Sequence, residues 1–220
     1  VTKQVKKARD KLVAGVDYLY HVGRKGTPDE GRLRMTRDEY AAFFAKSPRV
    51  KRKLVQGMQE IGLTVSEQEH GVLIGNITYP QMMLALGALA QACGQRADQR
   101  LAALLFARCD FRALDVDFEP ELLDMLQTAL SPTEYDHAVE LHTTLIDMDY
   151  QASLEIAGAH NWRVQYQGKR AIKSTPFFEY EYDERERRPL RTTVKCAATN
   201  RLVPLLSHQP ELLQQDFFRH

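Results

Sequence analysis

The 220-residue sequence predicts an α+β protein: a mainly helical body followed by a β-rich C-terminal segment. Three observations carry this. Apolar residues recur at helical spacing through roughly the first 155 positions, helix-start signals punctuate that stretch, and after about His160 the composition turns aromatic and β-branched with alternating character.

The elements follow in order. Val5, Ala8, Leu12, Val16 and Leu19 share one face of a helix over 2–20. Thr36 stands three positions before Glu39, a capping box in which each side chain satisfies a free backbone donor of the other's residue. Pro48 opens the next helix at the position where its missing N–H costs nothing. Helices are also expected over 79–92, 98–107 and 119–130, and from the Ser131–Glu134 capping box to about Ile146. "NWRVQYQ", "FFEYEYD" and "RTTVKCAA" read as strands, with Phe178, Tyr180 and Tyr182 on one face and Phe177, Glu179 and Glu181 on the other. "DERERRPL" is a charged turn between two of them, and "PELLQQDFFRH" a short closing helix. The organisation expected is therefore a helical domain over 1–158 with an extension over 159–220 packed on it.

Hydrophobic residues make up 44% and charged residues 27%, an ordinary globular balance, and the net charge of +1 gives no overall pull toward nucleic acid or anionic membrane. The richest apolar run, 82–93, falls short of the roughly 20 residues a membrane span needs. Cys93, Cys109 and Cys196 are widely spaced without a C-x-x-C, so buried free thiols in a reducing compartment are expected, in cytoplasm or an organelle matrix such as that of the mitochondrion. The first residue, Val1, suits a processed chain or a trimmed one.

Leu33, Ile77, Val116 and Leu154 each follow a polar or glycine-bearing loop, at separations of 44, 39 and 38 residues. With Gly31 and Glu39 in "EGRLRMTRDEYAAFF", Gly75 in "GNITYPQMMLAL", Asp110 and Glu121 in the third segment, and Asp147 and Asp149 in "IDMDYQASLEI", residues 1–158 resemble the EF-hand superfamily in its four-unit, calmodulin-like form. That resemblance implies paired helix–loop–helix units whose position-eight aliphatics meet across partner loops. Calcium wants six to eight oxygens, several of them carboxylates. His70, Val72 and Ile74 hold the ligand positions of the second loop, Gly26, Pro28 and Glu30 those of the first, and Arg112 and Leu114 intrude in the third. Only Asp147 and Asp149 are left as weak calcium candidates, with Gly158 at the closing position. The motif is expected as scaffold, and no cofactor is expected.

Other constellations carry less. Glu67-x-x-His70 and Glu134-x-x-His137 lack the further inward glutamates of a di-iron bundle, and His137 and His142 are too far apart for an i,i+4 zinc pair. No P-loop, nucleophile elbow or dinucleotide fingerprint is present. "RVKRK" over 49–53 opens a helix and, with "VTKQVKKARDK" and "RERR", could contact phosphates. Solvated surface is the default for such clusters, so nucleic acid is a less favoured partner.

The leading expectation is a non-catalytic interaction protein or structural subunit of a larger assembly. Met82, Met83, Leu86 and Leu89 would line a groove for a protein partner. An enzyme with its site at the junction of body and tail, around His160, Trp162 and Arg163, is the alternative, and an RNA-binding component of a ribonucleoprotein a third.

Overall fold

The computed structural model describes residues 3–45, 48–168, 178–184 and 190–194. Among them are seven α-helices and two four-stranded antiparallel sheets. In chain order these are α1 (Lys3–Lys25), β1 (Thr27–Asp29), β2 (Arg32–Met35), α2 (Arg37–Ala45), α3 (Pro48–Gln59), β3 (Leu63–Gln68), β4 (Gly71–Asn76), α4 (Met82–Gln95), α5 (Gln99–Ala107), α6 (Leu122–Ala129), α7 (Pro132–Asp147), β5 (Tyr150–Gly158), β6 (Asn161–Gly168), β7 (Phe178–Asp183) and β8 (Leu190–Val194). The α+β class holds. None of the described helices is long and apolar enough to cross a membrane.

The capping chemistry falls where the sequence put it. Thr36 Oγ1 accepts from the Glu39 backbone N–H at 3.2 Å while the Glu39 carboxylate accepts from the Thr36 N–H at 3.3 Å, starting α2. The Thr36 hydroxyl, donating to the carboxylate at 2.8 Å, and then the Thr36 N–H hold the Glu39 carboxyl below the usual carboxylate range. Ser131 and Glu134 form the same box at α7, with Pro132 at its first position. Asp98 caps α5 by accepting from Arg100 and Leu101 N–H.

The body is not purely helical. Between α1 and α2 lies the hairpin β1–β2, and between α3 and α4 the hairpin β3–β4, joined as one sheet of order β1-β2-β4-β3. Strand β4 is central, and all six of its residues are buried. A strand covered on both sides loses the polar–apolar alternation that marks strands in a sequence. The hairpin turns on Gly71, whose φ of +136° suits only glycine and whose missing side chain leaves room for the Met35 carbonyl. Gly71→Ala is expected to unlock the β2–β4 pairing at Met35↔Val72 and to cost at least about 1–3 kcal/mol, read as a lowered urea midpoint.

One core lies between this sheet and the first four helices: Tyr18 and Val22 from α1, Phe44 from α2, Leu54 and Met58 from α3, Leu33 and Ile74 from the sheet, and Met83 from α4. A second unites the other sheet, a β5-β6-β7-β8 meander, with α6 and α7 through Trp162, Val164, Tyr166, Phe178, Met125 and Leu145. The β7 faces are as expected: Phe178, Tyr180 and Tyr182 belong to the core, while Glu179 on the opposite face accepts from Gln165 at 3.2 Å. A third cluster around Leu89, Cys93, Leu105 and Phe106 of α4 and α5 takes in Ile156 of β5, so the body and the meander share apolar contacts. Strand β5 starts at Tyr150, inside the segment expected to be helical, with Ala152, Leu154 and Ile156 inward and Gln151, Ser153 and Glu155 exposed. The expected closing helix, Phe177, Cys196 and most of the charged turn lie outside the described residues.

Two polar devices order the α5–α6 connection. Buried Arg96 donates to the carbonyls of Phe118 (2.6 Å) and Asp115 (2.5 Å), pinning that loop onto α4. Asp110 accepts from the Arg112 N–H and pairs with its guanidinium at 2.8 Å, capping the single turn over Phe111–Leu114. Hydrogen bonding from Arg112 depresses the Asp110 carboxyl, so its contribution is present above the unfolded carboxylate range and is lost as pH falls through the lower folded value. Asp110→Asn is expected to cost about 1 kcal/mol at neutral pH, a difference that vanishes in unfolding curves near pH 2.

Candidate nucleic-acid interface

Helices α2 and α3 follow one another with two residues between them, and the hairpin β3–β4 comes directly after α3. The three helices α1, α2 and α3 touch one another, and α2 and α3 also touch the sheet. Together they make a pair of consecutive helices packed on a third and followed by a β-hairpin.

Leu54 and Met58 turn one face of α3 into the core and leave the opposite face outward. Lys53, Gln56 and Gln59 are exposed on that outer side. In sequence, Arg49 and Arg52 precede them at the three- and four-residue spacing of one helix face. Arginine reads guanine and glutamine reads adenine by paired hydrogen bonds at base edges, and lysine neutralises phosphate. Gln56 and Gln59 also line a groove of about 500 Å³ with Arg37, Tyr40, Val65 and Glu67, between α3, α2 and the hairpin. Arg37 donates to the Gln68 carbonyl at 3.0 Å and His21 Nε2 lies 2.9 Å from the Glu39 carbonyl, tying the hairpin and α1 to α2.

Charge is divided along the chain although it nearly cancels overall. Residues 1–76 carry 15 Lys and Arg against nine Asp and Glu, and residues 77–220 carry 15 against 20, so +6 faces −5. The hairpin tip itself holds Glu67, Glu69 and His70 and adds no positive charge. In sequence, the basic residues cluster instead at the start of α3 and along the first half of α1.

No family model, no curated protein and no solved structure matches this chain.

Several sequence expectations take other places. Met83, Leu86 and Leu89 are buried and Met82 is partly buried, all against α1, the first sheet or α5, so they form core and not an open groove. Helix α4 leaves only the face of Ala85, Ala88, Gln91 and Gln95 exposed and turns its larger apolar residues into the core. Leu33 lies in β2 opposite Ile74, while Ile77 is 75% exposed and Val116 50% exposed, and Leu154 is in mid-strand. Thus the aliphatics of the expected loop pairs do not meet as such pairs; β-branched and apolar runs beside those glycines propagate strands instead. Asp147 ends α7 and Asp149 sits in the turn before β5 with φ +68°, and among the described residues no group of three or more ligand side chains gathers to hold a metal.

His160 and Trp162 do come together at the junction, both buried; Arg163 points to the other face of β6 and pairs with Glu155 at 3.5 Å. The period of two in a strand separates neighbours that a linear reading groups. Glu67 lies on β3, and His142 Nδ1 is 3.0 Å from the Tyr166 hydroxyl in the second core region. Cys93 is buried as expected, but Cys109 is exposed in the left-handed residue after α5. Gln56 and Gln59 were not expected from the sequence; their signal was spacing, Gln56 four residues after Arg52 and Gln59 three after Gln56.

Proposed function

We propose that this chain binds duplex DNA through α3, with the β3–β4 hairpin alongside. One observation carries the reading: α3 exposes Lys53, Gln56 and Gln59 at helical spacing, and in sequence Arg49 and Arg52 precede them at the same spacing. A single α-helix fits the major groove of B-form DNA, whereas the A-form groove of RNA is too narrow to be read by side chains. This favours DNA over the ribonucleoprotein role weighed from the sequence. The basic half of the chain supplies the non-specific, salt-dependent part of the affinity, and Gln56 and Gln59 the part that depends on sequence.

Fluorescence anisotropy with a random-sequence duplex pool, titrated between about 50 and 200 mM salt, tests it. Binding that weakens steeply with salt, with duplexes of preferred sequence recoverable by selection, is the expected result. Absence of binding at the lowest salt, or equal retention of double-stranded RNA, would overturn it.

A second reading keeps the chain as a non-catalytic subunit of a larger assembly. Ile61, Ile77 and Tyr79 favour it: they are 70%, 75% and 65% exposed on two adjoining loops tied by the Ile77 N–H to the Gly62 carbonyl at 2.8 Å. Apolar clusters of this kind mark contact surfaces. Under this reading a stoichiometric companion co-purifies with the native protein and is released by Ile77→Ser; a chain that purifies alone and monomeric would argue against it.

A further inference from the structure

Where the β5–β6 tip meets α5 and α6, a cleft of about 320 Å³ opens, lined by Leu104, Arg108, Thr128, His160, Trp162 and Tyr182, with Glu184 at its edge. This is within the range of small-molecule sites. Two of its polar groups are unfinished. Arg108 donates one bond, to the Thr128 hydroxyl, and no carboxylate lies at ion-pair distance from it among the described residues. Partial burial pushes its guanidinium below the usual arginine range, against the opposing pull of the nearby Asp110 carboxylate. His160 is 9% exposed, its Nδ1 lies 3.0 Å from the Glu184 carboxylate, and its Nε2 is buried with no partner.

The tautomer follows from the donors. An ionised carboxylate only accepts, so Nδ1 carries a proton, and the buried, unpartnered Nε2 is left to bond a hydroxyl, which can both donate and accept. A half-buried guanidinium suits a planar oxyanion, which its fork grips through two hydrogen bonds. The remaining wall is apolar and aromatic: Leu104, and Trp162 stacked on Tyr182 with centroids 5.2 Å apart. The combination describes a ligand with a carboxylate, a flat apolar body and a hydroxyl.

We propose that the cleft between α5, α6 and the β5–β6 tip binds a small hydroxy-carboxylate, with Arg108 holding the carboxylate, His160 Nε2 hydrogen-bonding the hydroxyl, and Leu104, Trp162 and Tyr182 covering the body. This site is separate from the α3 face, and its test does not depend on DNA.

Trp162 is the only tryptophan of the chain, so its indole N–H resonance is a built-in probe. The full chain is titrated with 4-hydroxybenzoate, benzoate and inorganic phosphate while that resonance is followed. The expected result is a saturable shift with 4-hydroxybenzoate, an affinity at least about tenfold weaker for benzoate, about 1.4 kcal/mol, and no saturable shift with phosphate. Arg108→Gln should weaken 4-hydroxybenzoate by at least about tenfold with an unchanged far-UV spectrum. Arg108→Lys, which keeps the charge and loses the fork, gives the same direction should the glutamine variant not fold. The proposal is overturned if the indole does not respond to 4-hydroxybenzoate. Equal responses to benzoate or phosphate, or an unchanged affinity in the arginine variants, would overturn it as well.

Discussion

Replacing Arg49, Arg52 and Lys53 together by alanine is expected to weaken duplex binding at least about a hundredfold, with little change in thermal unfolding. Each arginine lost from a base edge costs about 1–3 kcal/mol, and each charge lost from a phosphate removes about one unit from the salt slope. Substitution of polar surface residues typically stays within about 0.5 kcal/mol of stability, so circular dichroism separates loss of the fold from loss of the interface. Anisotropy against salt reads the first effect and circular dichroism the second. Gln56→Ala with Gln59→Ala should leave the salt slope alone and change which duplexes are preferred, because glutamine contributes no charge. A triple variant that binds as tightly as the parent would remove α3 from the interface.

Leu33→Ala is expected to be the most destabilising single change in the first core. Leu33 is fully buried in β2, opposite Ile74, and its side chain packs against Gly87 of α4, where an added Cβ would lie 3.1 Å from Leu33 Cδ2. It therefore joins the sheet to the helix beneath it, and the space left by truncation is bounded by elements that cannot collapse independently. Leucine-to-alanine changes at such sites cost about 2–5 kcal/mol. For a chain of this size that lowers Tm by roughly 5–15 °C. A loss smaller than that of an exposed leucine such as Leu114, which is 51% exposed, would mean that this junction does not hold the body together.

The two effects differ in how far they can be foreseen from the chain alone. The start of α3 at Pro48 and its basic opening are local facts, and so are the two capping boxes, because proline geometry and side chain-to-backbone bonds act over three or four residues. The β6 and β7 strands were legible from local pattern too: alternation in "NWRVQYQ" records one covered face, and the aromatic spacing in "FEYEYD" marks the face of β7 that joins the core, although Glu179 on its other face is buried as well. The first sheet was not. "GVLIGN" is buried throughout, and three-residue β1 is too short to show any period, so both were read as loop between helices. The EF-hand-like spacing of Leu33, Ile77, Val116 and Leu154 followed from that reading, and the structure places these residues in two strands and two exposed loops.

The same division runs through the functional residues. Met82, Met83, Leu86 and Leu89 could be recognised as an apolar face, but whether α1 and α5 would cover it depends on where distant segments pack. Arg108 and His160 lie 52 positions apart, and no local pattern joins them; the β5–β6 tip docking on α5 does. By itself the sequence determined where helices begin, which strands have one buried face, and that the α3 start is basic, since these depend on interactions between near neighbours. Only the tertiary structure decided that α2 and α3 are backed by a sheet and that a cleft opens beside Trp162. Strand pairing and side-chain convergence are contacts between residues far apart in the chain, and nothing short-range encodes them.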